Sequence, residues 1–158
     1  AHSPHPAPTP AAVRAEVLRV ALRAAQRPGV QGVQIDYDAP TSQRESYRAL
    51  LAALRAALGV GTWLSMTALA SWCVGDRWLD GAPLPVDEVV PMLFTMGRGG
   101  EELRATVQAA GRFPSPRCRG SLGLAVGEPT VALRGVTRTW VFNARPWTAV
   151  AARAWTAR

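Results

Sequence analysis

The sequence contains no lysine. Its 18 basic residues are all arginine, set against 11 acidic ones, for a net charge of +7. Arginine without lysine, beside abundant alanine, points to a GC-rich genome rather than to a surface built to grip phosphate. The arginines are also dispersed. Arg19, Arg23 and Arg27 recur four residues apart, the solvated stripe of an amphipathic helix. There is no basic cluster interleaved with aromatics and no helix-turn-helix pattern, so nucleic acid is not an expected partner. No apolar run approaches the roughly 20 residues that a membrane-spanning helix needs. Cysteine is scarce: Cys73 and Cys118 suggest by number and spacing neither a zinc site nor a disulfide framework. His2 and His5 both lie in the proline-rich start AHSPHPAPTP, expected to be a flexible lead over 1–9 and a poor place for catalysis. That start has neither the charged nor the apolar region of a secretory signal, and no initiator methionine precedes it. Both facts fit a chain whose native start lies upstream, which leaves localisation open, a periplasmic or secreted parent included.

Nucleotide-binding glycine patterns are missing as well. No G-x-G-x-x-G or G-x-x-x-x-G-K-[ST] occurs, and Gly97, Gly99 and Gly100 have the spacing of a tight loop. No cofactor is therefore expected. What is present is an ordinary globular composition: 158 residues, 48% apolar and 18% charged, enough for one domain with a real core over 10–158.

Hydrophobic periodicity organises that domain. Thr9-Pro10 offers a helix start, and Val13, Val17, Val20 and Ala24 form an apolar stripe that stops before Pro28-Gly29. In GVQGVQIDYDAP, Val33, Ile35 and Tyr37 alternate with Gln34, Asp36 and Asp38, which is strand periodicity ended by Pro40. Ser42 and Glu45 make an S-x-x-E capping box. Tyr47, Leu51, Leu54 and Leu58 follow at helical spacing, with Gly59 at the C-cap. Further strands are predicted at 62–69, 88–94, 121–126 and 137–143. A helix is predicted over Glu101–Ala110, and a last one begins near Trp147. Strands that alternate with helices and are nearly continuously apolar indicate an α/β fold with a parallel sheet, either doubly wound or part of a closed (β/α)8 barrel.

The chemistry concentrates at Asp36 and Asp38. Two residues apart on a strand, their carboxylates share a face, with Cα atoms about 6 to 7 Å apart. Two like charges that close raise at least one pKa, as a general acid near neutral pH requires. The plainer alternative is a helix cap or loop ligand for one and an arginine partner for the other. Ser65 and Thr67 share a face of the second strand and either join the site or fill a satisfied interior. Glu128 lies just past the fourth strand; Asn143 and Arg145 end the fifth. Glu128 and Arg145 read equally as surface ion pairs. Trp72 and Trp147 follow strand ends, where an aromatic face could stack on a sugar or simply pack. A metal at Asp36 and Asp38 would lack a nearby histidine or further carboxylates.

QGVQIDYDAPTSQRESYRALLAALRAAL, LSMTALASWC, VDEVVPMLFTMG and WVFNARPW, in this order, resemble a bacterial family catalogued as domain of unknown function 3142. The resemblance implies the C-terminal part of a (β/α)8 TIM barrel, with about five parallel strands here and an N-terminal barrel half expected in the parent chain. QGVQIDYD is also distantly similar to the fourth-strand motif D-G-x-D-x-D-x-E of chitinase-like glycoside hydrolases. There Gly32 matches the glycine, Asp36 the last aspartate and Asp38 the catalytic glutamate, while Gln31 and Gln34 replace two aspartates. Met92 and Phe94 fall where that group has M-x-Y-D, with Thr95 in place of its aspartate, and Trp140 lies on the strand of its sugar-stacking tryptophan. The resemblance implies a carbohydrate ligand, with Asp36 and Asp38 as catalytic candidates and Met92 as a substrate contact. Strand-end position adds Glu128 as a catalytic candidate and Trp72, Asn143, Arg145 and Trp147 as substrate contacts. A glycoside-hydrolase-like enzyme and a non-catalytic carbohydrate-binding or cell-envelope barrel both fit. Cys73 and Cys118, placed after one strand's carboxyl end and before another's amino end, are expected at opposite rims as free thiols.

Overall fold

The structure is a computed structural model that describes residues 11–81, 83–94 and 96–156. The expected start at Thr9-Pro10, both histidines and Thr95 lie outside those residues. The fold is α/β. Five strands, β1 (Gly32–Ile35), β2 (Trp63–Leu69), β3 (Glu88–Met92), β4 (Ser121–Ala125) and β5 (Arg138–Phe142), form one sheet in chain order. β1 is parallel to β2, β3 to β4 and β4 to β5. The helices are α1 (Ala11–Ala25), α2 (Arg44–Leu58), α3 (Ala70–Val74), α4 (Gly100–Ala110) and α5 (Ala149–Thr156). None of the described helices is long and apolar enough to cross a membrane. The residues fall into two compact units, one up to Thr67 with Gly81–Val89, the other Ala68–Asp80 with the chain from Val90 onward.

In the first unit α2 carries the core. Tyr47, Leu50, Leu51 and Leu54 are buried at the i, i+3, i+4, i+7 spacing of one helix face. Gly59 ends the helix with φ +71°, its N–H returning to Arg55 O. The S-x-x-E box does not form. A 3-10 turn over Thr41–Gln43 precedes the helix, the N-cap is Gln43, and no side chain caps it. The Gln43 carboxamide accepts the Tyr37 hydroxyl instead. β2 is buried on both faces, Leu64 and Met66 on one, Ser65 and Thr67 on the other. Gly32 faces Trp63 in register, and a Cβ there would stand 2.6 Å from the Trp63 carbonyl oxygen. Any side chain at position 32 would push β1 off β2.

α1 departs from expectation. Arg19, Arg23 and Arg27 are exposed as their spacing requires, but Val13 and Val20 are 47% and 52% exposed and only Ala21 is buried. β1 is an edge strand of the sheet. A helix beside an edge strand has a neighbour on one flank only, so among the described residues half of its apolar stripe is left open.

In the second unit α4 ends at Gly111, φ +65°, where the sequence places its stop. The stretch after β2, irregular by pattern, contains α3 and a 3-10 turn over Arg77–Leu79. The cysteines overturn their expectation: Cys73 and Cys118 form a disulfide with Cα atoms 5.9 Å apart. Counting from strand ends assigned them to opposite rims. Neither is on a strand, however. Cys73 lies in α3 and Cys118 in the 3-10 turn Pro116–Cys118, and helix and loop segments are free to run along the sheet's height between rims.

Candidate functional site

The site grows from the pairing of β1 with β2. Register sets Gln34 opposite Ser65, and the Gln34 amide donates to Ser65 Oγ at 3.0 Å. One step along the same face, Thr67 Oγ1 donates to Asp36 Oδ1 at 2.7 Å. Ser65 and Thr67 are buried, so these bonds satisfy both hydroxyls. The β-ladder itself ends at Ile35, shorter than alternation predicts. Ala39 N–H closes back on Tyr37 O at 3.0 Å, a three-residue turn centred on Asp38. The carboxylates are thus not two positions of a regular strand. Asp36 is anchored by Thr67 just past the ladder, and Asp38 sits at the crest of the turn, open to solvent.

The turn still keeps the two charges coupled. Partial burial of the Asp38 carboxyl, then the charge of Asp36, raises its pKa above the ordinary value. Beneath them lies Tyr47 of α2, 1% exposed, its phenol pushed up by burial first and then by Asp36, Asp38 and Tyr37. The Tyr37 ring meets it edge-on, with centroids 5.3 Å apart. Sequence pattern placed Tyr47 in an apolar stripe and missed its hydroxyl. The available signal was one tyrosine among leucines, since a buried phenol usually ends in polar surroundings. Gln43, the acceptor for Tyr37, lies in the 3-10 turn before α2 and has no periodic signature. Glu88, buried at the amino end of β3, takes the Trp63 indole N–H at 3.5 Å, so it belongs to the opposite end of the strands.

The remaining candidates lie in the second unit. Glu128 is paired with Arg104 of α4 at 3.1 Å, and Arg104 also donates to Pro129 O at 3.0 Å. Trp72 is 3% exposed with its ring edge-on to Trp78, centroids 5.1 Å apart, and offers no open face. Trp147 is 44% exposed. Asn143 Oδ1 accepts the Arg145 N–H at 3.3 Å, which organises the turn after β5. Met92, Gly123 and Trp140 are register neighbours, and the rings of Phe94 and Phe142 lie 4.9 Å apart beside them. A Cβ at Gly123 would touch the Phe142 ring at 3.3 Å, so the glycine makes room for the aromatic. Among the described residues no group of three or more His, Cys, Asp or Glu could hold a metal ion.

The raised Asp38 pKa carries a stability signature. Its folded value lies above the 3.8 of an unperturbed aspartate. Between the two, the folded state binds more protons than the unfolded one, so this group's contribution falls as pH rises through that window and stays unfavourable above it. Asp38→Asn should therefore melt at or above the wild-type temperature at neutral pH, with the difference vanishing below about pH 3. Melting curves across a pH series check this. A variant that melts lower at neutral pH would mean that the carboxylate holds structure.

No family model, curated protein or solved structure matches the chain.

Proposed function

We propose that the chain is part of a glycoside-hydrolase-like (β/α)8 barrel in which Asp38 is the general acid. Asp38 carries this reading: a solvent-open carboxyl of raised pKa, beside a second carboxylate, at the carboxyl end of a parallel strand. Such strand ends are where barrel enzymes assemble their sites. The resemblance of QGVQIDYD to the chitinase-like motif points to the same residue, while the resemblance of the wider chain to domain of unknown function 3142 bears on the barrel fold and not on the reaction.

Roles follow from environment. Asp38 holds a proton into a higher pH range and delivers it to the leaving glycosidic oxygen. Asp36, held by the Thr67 hydroxyl, raises the Asp38 pKa and supplies negative charge to an oxocarbenium-like transition state. Phe94, at the position of the chitinase-like tyrosine, has no hydroxyl to hold an acetamido group, so an N-acetyl requirement is not part of the proposal.

A binding-only barrel is the second reading, favoured by the Arg104–Glu128 pair, which engages the other candidate carboxylate. Incubating the protein with aryl glycosides and a panel of oligosaccharides separates the two. Turnover whose alkaline limb, the loss of rate as the general acid deprotonates, lies above the ordinary carboxylate range supports the enzyme. Glycan binding without product release supports the binder, and the absence of both turnover and binding removes the support for the carbohydrate assignment.

A further inference from the structure

The chain has two cysteines, and both are spent on one bond. Cys73 is 1% exposed and Cys118 fully buried. The bond closes a 45-residue separation and ties α3 to the 3-10 turn before β4. A second bond joins the same two segments, Ser115 N–H to Cys73 O at 3.1 Å, and Ser115 Oγ donates to Asp80, just past the 3-10 turn that follows α3, at 2.6 Å. Trp72, Leu79 and Phe113 are buried in the same unit. A Cα separation of 5.9 Å needs no backbone movement to be bridged. This is the placement of a structural staple rather than of an exposed, exchangeable bond.

We propose that Cys73 and Cys118 are substrates of a thiol-oxidising partner, and that the second unit reaches its native stability only after that oxidation. The partner is a disulfide of the thiol–disulfide exchange class. One cysteine thiolate attacks the partner's disulfide to form a mixed disulfide, and the second displaces the partner's sulfur. Two electrons and two protons leave the chain, and the partner departs as a dithiol. Both sulfurs are shielded once folded, so the exchange precedes closure of the segment around Ser115. The protein accordingly matures in an oxidising compartment, outside the reducing cytosol.

The test compares protein produced in an oxidising and in a reducing compartment, with thiols counted under denaturing conditions without reductant. The oxidised protein should show no free thiol and should resist glutathione until temperatures near its melting point. Reduced protein should melt about 10 °C lower, as expected for a loop of this length in a domain of this size. Cys73→Ala/Cys118→Ala should reproduce that loss. If the double variant does not fold, reoxidation of reduced wild-type protein in a glutathione redox buffer provides the second measurement, and recovery of the higher melting temperature supports the staple. Two free thiols in a protein that melts at the same temperature as the oxidised form would overturn it, as would rapid reduction of the folded protein by glutathione.

Discussion

Asp38→Asn is expected to lower glycoside turnover by about 10² to 10⁴-fold, or about 3 to 5 kcal/mol of barrier, without loss of fold. Asparagine nearly matches the volume of aspartate but cannot give a proton to a leaving oxygen. Activated aryl glycosides need little acid assistance, so they should lose less than natural glycans with poor leaving groups. The fold should survive because Asp38 accepts none of the hydrogen bonds that hold β1 to β2. Those are the backbone ladder from Gly32 to Ile35 and the side-chain bonds of Gln34 with Ser65 and of Asp36 with Thr67. Turnover of both substrate types is measured beside a melting curve. Unchanged turnover would remove Asp38 from the mechanism, and an unfolded variant would make it a structural residue.

Arg55→Ala should cost about 3 kcal/mol of stability. One guanidinium at the end of α2 reaches three segments. Nε donates to Pro85 O at 3.1 Å, and Nη1 donates to Gly59 O at 2.8 Å and Thr62 O at 3.0 Å. Nη2 pairs with Asp87, whose carboxylate also takes the Leu64 N–H at 2.8 Å. The helix end, the start of β2 and the start of β3 thus share one clamp. Lysine offers a single point of charge without the planar fork, so Arg55→Lys should recover less than half of the loss. Partial burial raises the Asp87 pKa, but the Leu64 N–H and then the hydrogen bond and charge of Arg55 outweigh it and hold the carboxyl below its usual range. Its contribution is present above the unfolded pKa and is lost as pH falls through the lower, folded one. Denaturant titrations of both variants at neutral and acid pH provide the check. The alanine variant should lose less than wild type on acidification. A cost below about 1 kcal/mol at neutral pH would show that the clamp is ordinary surface pairing.

Much of the fold was legible because it is written in short-range periodicity. Val33 and Ile35 alternate, Leu51 and Leu54 lie on one helix face, and Gly59 and Gly111 stop their helices with positive φ as their positions suggest. These depend on neighbours within a turn or two, which sequence spacing reports directly. The site was legible in part. Asp36 and Asp38 were found from their pattern, but the geometry invoked for them, a regular strand, ends at Ile35. Their electrostatic coupling survives through a turn instead.

What the sequence by itself determined is the order and type of the main elements, the parallel α/β class and the location of the coupled carboxylates. Each follows from local backbone preference and from which faces must be apolar. What only the tertiary structure decided are the pairings between residues far apart in the chain. It set Thr67 on Asp36, Tyr47 beneath the acid pair and Arg104 on Glu128, buried the Trp72 face, and joined Cys73 to Cys118. None of these has a spacing signature. A side chain's partner depends on how loops and short helices run between the strands, and that path is set by the packing of the whole rather than by residue periodicity.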